Sequence, residues 1–423
     1  MTAATRADRA RADGARFDAV RRNTRLLALS QGFVQVAFPV MLVVGGVAAA
    51  DITGRHGATG VVWALYFTSG AFGAFVFGRL MDRVGRRPGL IASYGLLAIA
   101  GVSCAGAVAA RSYPALLAAS IPFGVAFGGS QLVRAAVADM YEPRARARAV
   151  GIVLAAGTVG AVGSPLLVAA IRTVAEGRGW DPNVLPWVLV PTGALAAIAF
   201  VLAVRPDPRD LSPALDSGVG PVDAPARGPR ELLGVPAFRI ALLAASIGQL
   251  GMVGVMGVTP NALDAHGHGA TTISWIISVH IAGMFAFSPW IGAAMDRYGR
   301  RAGLLAGGAA MLTGDLFAAV DTVPWSVGVG LFLIGIGWSS MFLGATAIIS
   351  DVTEAHERAG ALGFTDLFSS AASATAGLAG ALVLEAAGYR TLALSVAALV
   401  LVVSVAIAVG LAPRAAGRIA PEA

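Results

Sequence analysis

Twelve runs of mostly apolar residues restrict the fold of this chain more than any other feature. They fall at 26–48, 59–80, 88–109, 114–138, 147–171 and 183–204, then at 237–260, 270–294, 302–320, 324–349, 361–386 and 391–412. A helix that crosses a bilayer needs about 20 such residues, because backbone groups in hydrocarbon must be satisfied within their own segment. The pattern predicts an all-α integral membrane protein with twelve transmembrane helices. Composition agrees, with 57% hydrophobic and only 13% charged residues, where a soluble domain carries about 25% charged. Such a surface faces lipid.

The runs form two groups of six. Between them "RPDPRDLSPALDSGVGPVDAPARGPRELLGVP" reads as a polar linker. The expected division is a tail over 1–25, a six-helix bundle over 26–205, a linker over 206–236, a second bundle over 237–412 and a tail over 413–423. The first 25 residues lack the apolar core of a secretory signal and carry Asp8, Asp13 and Asp18 among their arginines. They read as a cytoplasmic tail, partly helical against the membrane surface. Cys104 is the single cysteine, so no intrachain disulfide forms.

Every strong cation is arginine, and the net charge is +7. Exclusive arginine with heavy Ala, Gly and Val use fits the codon bias of a GC-rich bacterium. The arginines lie in short segments between apolar runs, which argues for topology signals and against nucleic-acid binding. With the N-terminus inside, the inner segments hold most of them, and the outer segments hold only Arg55, Arg111, Arg172, Arg178 and Arg390. Both termini are therefore expected in the cytoplasm, in a bacterial inner membrane.

Two charged stretches repeat about half the chain apart. "GRLMDRVGRRP" aligns with "GAAMDRYGRRA", pairing Gly78, Asp82, Arg83, Gly85, Arg86 and Arg87 with Gly292, Asp296, Arg297, Gly299, Arg300 and Arg301. "ADMYEPRARARAVG" aligns with "SDVTEAHERAGALG", pairing Asp139, Glu142, Arg146 and Gly151 with Asp351, Glu354, Arg358 and Gly363. Each pair occupies the matching connection of its half, as in transporters built from two repeats.

With these motifs in register, the chain resembles a bacterial, drug-efflux-like major facilitator superfamily transporter over its whole length. The resemblance implies secondary active transport by alternating access, with proton-coupled efflux of an amphipathic small organic molecule as the leading expectation. Proton-coupled uptake of a small neutral solute is the alternative. It also implies that Asp82 faces the start of span eleven and Asp296 the start of span five, in contacts that form when the inner side closes. Arg134, Asp139, Glu142, Arg146, Asp351, Glu354 and Arg358 would extend that charge network, or serve as solvated loop charge.

In span five, "GTVGAVGSP" with Gly157, Gly160, Gly163 and Pro165 partly matches the family's antiporter motif, with Ser164 where a glycine is expected. Span four has Ser120 where many drug/proton antiporters carry an arginine. Both departures weaken an efflux assignment.

Ionisable residues inside a bilayer are functional candidates. Asp366 is read as a protonation site or as a helix cap or partner of an inner arginine, His280 as a titrating or a hydrogen-bonded neutral group, and Asp315 as structural. Gln31, Gln35, Gln131 and Gln249 lie on helices that line the family's central cavity. With Trp63, Tyr66, Phe67, Met252, Met256, Trp275 and Trp338 they suggest a mostly apolar pocket without a charged cluster for an anion. The catalytic set of a membrane enzyme and a nucleotide-binding loop are both missing, and "DAHGH" at 264–268 is a poor metal site. The expected partners are a small-molecule substrate, protons and the bilayer, for a monomer with no cofactor or metal.

Overall fold

The computed structural model describes residues 3–54, 57–212, 227–259, 262–263, 266–268, 270–320 and 323–410. Part of the predicted linker, Asp264 and the second tail lie outside the described residues, as does the side chain of Pro165.

Helix α1 runs over Ala3–Val34, turns at Gln35 and Val36, and continues through Ala37–Pro39, a π-helical Val40–Gly45 and Gly46–Thr53. Then come α2 (Gly57–Val84), α3 (Arg86–Ala109), α4 (Tyr113–Ser130 continued by Val133–Asp139), α5 (Pro143–Gly177) and α6 (Leu185–Leu202). A short helix over Pro229–Gly234 precedes α7 (Pro236–Met256). The second set continues with α8 (Ala270–Phe285 continued by Ser288–Tyr298), α9 (Arg300–Val320) and α10 (Pro324–Val352). One helical stretch, Arg358–Gly410, holds α11 (358–387) and α12 (389–410), separated where Gly388 takes φ +80°. The architecture is the all-α, two-repeat arrangement of twelve helices.

Ten helices among the described residues are long and apolar enough to cross a membrane. The other two are α1, broken by its turn and π segment, and α11, which runs into α12. The helix runs continuously from Ala3 across the boundary expected at residue 25, because Ala and Arg are strong helix formers and no proline interrupts them. Outward residues are apolar, Ile99 at 66% and Val402 at 64% exposure among them, as a lipid-facing surface requires.

The two sixes meet along α2 with α11 and α5 with α8, through glycines. A Cβ at Gly78 would lie 2.4 Å from the Ala359 carbonyl oxygen, and one at Gly292 would lie 2.3 Å from that of Ala147. Gly151 and Gly363 meet Ser288 and Ala74 as closely. Gly78→Ala is expected to wedge this seam and destabilise the closed arrangement by about 1–3 kcal/mol, the usual cost of overpacking. Greater reactivity of cysteines placed along the seam would register the opening, and unchanged reactivity would refute it.

Candidate functional site: a charge network between the halves and a buried ion pair

All the arginine-rich connections lie at one end of the bundle. There Gly85 and Gly299 take φ +99° and +91°, a backbone that glycine adopts without steric cost. Each turn brings an arginine back over the preceding helix end. Arg86 Nη1 donates to Asp82 at 2.6 Å, and Arg300 Nη1 donates to Asp296.

The same two carboxylates cross to the opposite half. Asp82 accepts from the backbone N–H groups of Ala359 (3.1 Å) and Gly360 (2.6 Å), in the first turn of α11. Asp296 accepts from Ala147 (3.3 Å) and Arg148 (2.9 Å), near the start of α5. Carboxylates at the ends of their own helices oppose those helices' dipoles, so amides near the opposite helix starts are favourable partners.

A second layer of acids completes the network. Asp139 holds Arg86 Nε at 2.6 Å with one oxygen and Arg358 Nη1 with the other. Asp351 takes Arg146 Nη1 at 2.8 Å and Arg300 Nε at 3.3 Å. Spare guanidinium N–H groups go to carbonyls near the end of α10, Arg358 Nη2 reaching Thr353 at 2.9 Å and Arg146 Nη1 reaching Ser350 at 2.7 Å. Arg86 and Asp139 are wholly buried, whereas Asp351 keeps 26% of its side chain exposed. The two copies of the network share a pattern but not a degree of burial.

Arg87 and Arg301 lie outside it and cap other helices, bonding the carbonyls of Leu202 (2.9 Å) and Ala408 (3.0 Å). Arg83 and Arg297 are exposed. So are Glu142 and Glu354, the Glu354 carboxylate lying 3.4 Å from His356 Nδ1; neither acid enters the network. Arg134 is drawn elsewhere too. It stands five residues before Asp139, about 140° around the helix, and pairs with Asp366 instead.

Three further residues, not singled out from the sequence, close the arrangement. Asp207, just after α6, accepts from the backbone N–H of Arg86 (3.2 Å) and Arg87 (2.9 Å). Glu357 forms an ion pair with Arg227. Aligning the two charged loops sets Glu357 opposite Ala145, so it has no duplicate to flag it. Burial works to raise the Glu357 carboxyl pKa, but hydrogen bonds from Arg227 and its charge outweigh that and hold it below the ordinary value. A depressed carboxylate pKa stabilises fully above the unfolded-state value, about 4.3, and the contribution fades as pH falls through the folded value. Wild type should therefore lose thermal stability on acidification below that range more steeply than Glu357→Gln. Parallel pH profiles would contradict this.

Deeper in the bundle, Gln31 Nε2 donates to Gln35 and Gln131 at 3.2 Å each, joining α1 to α4. Gly157 packs on Gln31 and Gln35, and Gly160 lies so close to Gly32 that a Cβ would come within 2.0 Å of its carbonyl oxygen. Ser164 donates to Val36 at 3.0 Å, satisfying a carbonyl at the turn in α1, while Gly163 meets nothing nearby. On the other side Trp338 donates to Gln249 at 2.6 Å. Trp63 and Trp275 are exposed, at 39% and 69%, and form no part of an enclosed aromatic wall. Tyr66 instead packs among Phe38, Phe67, Phe123 and Phe127.

Between this polar centre and the charge network, Arg134 Nη2 lies 2.5 Å from both oxygens of Asp366. The pair joins α4 to α11, one helix from each half. The guanidinium also sits 4.6 Å from the centre of the Phe342 ring. Elsewhere His280 is buried, with Nδ1 2.6 Å from the Leu331 carbonyl. Asp315 is buried and has no hydrogen-bond partner among the described residues.

Comparison with known proteins places this geometry. The sequence profile of the Major Facilitator Superfamily matches residues 24–267 and 241–423. The chain is 28% identical over 388 residues to the uncharacterized MFS-type transporter YddS of Bacillus subtilis (strain 168), covering 90% of this chain and 88% of that one. It is 26% identical over 404 residues to the riboflavin transporter RfnT of Brucella anthropi, covering 94% and 98%. Among solved structures, the human organic anion transporter MFSD10 superposes with a TM-score of 0.73 at 18% identity, covering 92% of this chain and 99% of that one. The proton:xylose symporter XylE gives 0.70 at 15% identity, covering 93% and 95%. Twelve helices in two repeats, a motif duplicated at their junction and a profile spanning both halves make this chain a member of the Major Facilitator Superfamily, a membrane transporter and not an enzyme.

Proposed function

We propose that the protein is a proton-coupled secondary transporter that works by alternating access and takes up a small amphipathic organic solute together with protons. The observation that carries this reading is the Arg134–Asp366 pair. It is the ionic link between the halves that lies nearest the polar centre, and the Asp366 side chain keeps 18% exposure. Protonating Asp366 removes the link and so biases the equilibrium between closed and open arrangements. A proton taken up on one side and released on the other is then coupled to the solute.

The arginine bias supports placing the arginine-rich end in the cytoplasm of a bacterial inner membrane, with both termini on that side. In this orientation Asp82, Asp296, Asp139 and Asp351 form an inner gate, closed here, and one chain suffices as the working unit. Export of an amphipathic molecule against protons is a second reading, supported by the close glycine packing of α5 on α1. It is the weaker one, because Arg134 repels a cation that would compete with the proton for Asp366.

The test is a proteoliposome assay with a pH dye inside, challenged with riboflavin and a panel of aromatic solutes. Interior acidification that accompanies solute entry, and is missing from protein-free vesicles, is the expected result. Solute entry accompanied by proton exit, or no solute-dependent proton movement across the panel, would overturn the reading.

A further inference from the structure

Arg134 is always charged, buried to 3% exposure, and has a single carboxylate partner in Asp366. A buried guanidinium left without a counter-ion is strongly unfavourable. Under the proposed coupling, on which this inference rests, Asp366 becomes neutral in each cycle, and Arg134 then loses its anion.

Among the described residues no second acid pairs with Arg134. The guanidinium bonds Asp366 and lies over the Phe342 ring. The Nε of Arg134 is buried without a hydrogen-bond partner among the described residues. So are the hydroxyls of Ser369, one turn along α11 from Asp366, and of Thr158, which follows Gly157 in α5. These are three donors with nothing to donate to. Beside Arg134, Phe342 stacks on Trp338 at 5.1 Å and 12°, forming a flat apolar wall.

We infer that the solute is an aromatic or similarly flat organic monoanion, whose carboxylate or equivalent group seats on Arg134 while Asp366 carries the proton. Arg134 exchanges one anion for another, so the buried cation is paired at each stage. Ser369, one turn from Asp366, supplies a hydroxyl donor to the anionic end, and the Phe342–Trp338 wall takes the apolar body. No charged cluster is needed for this: one arginine suffices once its acid is neutralised.

Binding to the purified full-length protein tests this with three matched probes: 2-naphthoate, neutral 2-naphthamide and cationic 2-naphthylmethylammonium. Titrations follow tryptophan fluorescence and thermal shift. With Asp366→Asn, which imitates the protonated acid, 2-naphthoate should bind about tenfold or more tighter than to wild type and than the amide does, as expected for a hydrogen-bonded charge. The cation should bind most weakly. Arg134→Gln/Asp366→Asn removes both charges, so it keeps a folded reference even where a single change unfolds the protein, and it should bind naphthoate and naphthamide alike. Equal binding of naphthoate and naphthamide to Asp366→Asn, or no binding of naphthoate to it, overturns the inference. Neither result depends on proton movement, so the coupling is judged separately by the vesicle assay.

Discussion

Asp139→Asn is expected to open the arginine-rich end of the protein. Asp139 is wholly buried and divides its two oxygens between Arg86 and Arg358. Arg86 retains Asp82 after the change, but among the described residues Arg358 pairs with no other carboxylate and keeps the carbonyls of Ser350 and Thr353. Removing one partner of a buried charge pair costs about 3–5 kcal/mol. Because Arg358 begins α11 and Asp139 ends α4, that loss falls on the closed arrangement of the two halves. Spin labels on α4 and α11 should report longer distances across this end. The double variant Asp139→Asn/Arg358→Gln, which leaves no orphaned cation at Arg358, should recover part of the closed population. Unchanged label distances in the single variant would show that the carboxylate does not hold the halves together. Asp351→Asn should have a smaller effect, because Asp351 is partly exposed and water can replace its contacts.

The second large effect is expected at Asp366. With one proton per solute, a one-unit pH gradient supports at most about tenfold accumulation, since one unit corresponds to about 1.4 kcal/mol. Under the proposed coupling, Asp366→Asn removes the group that takes the proton while leaving a hydrogen-bonding side chain of similar size. Accumulation should fall to about onefold, equilibration without concentration, whatever solute the wild type moves. Exchange of labelled for unlabelled solute should continue, because it does not require a proton to be released. A variant that still concentrates solute under a pH gradient would rule out Asp366 as the coupling site. Loss of exchange together with accumulation would point to a damaged binding site instead. Arg134→Lys is a further contrast: it keeps the charge but lacks the planar guanidinium whose Nη2 reaches both oxygens of Asp366 and which lies against Phe342.

Much of the fold was legible in the chain, because hydropathy over about 20 residues is a local property that lipid enforces segment by segment. The exception is the break in α1 at Gln35, which depends on neighbours that accept irregular backbone, such as Ser164 on the Val36 carbonyl. Local hydropathy carries no record of such neighbours.

The residue types of the site were also visible, since duplication marks Asp82 with Asp296 and Arg86 with Arg300. Beyond the helix starts that the resemblance implied for Asp82 and Asp296, their partners were not. Glu142 and Glu354 align as well as Asp139 and Asp351 do, yet they are exposed, because the register of each loop on its helix turns them outward. Arg134 was expected beside Asp139 and lies on Asp366, more than two hundred residues away in the chain. Asp207 and Glu357 had no duplicate to announce them. The sequence by itself determined a membrane protein of two six-helix repeats with paired charged connections, because length, hydropathy and repetition are written along the chain. Only the tertiary structure decided which charge meets which, because each meeting depends on two half-bundles closing face to face, and in that burial an arginine must find an anion.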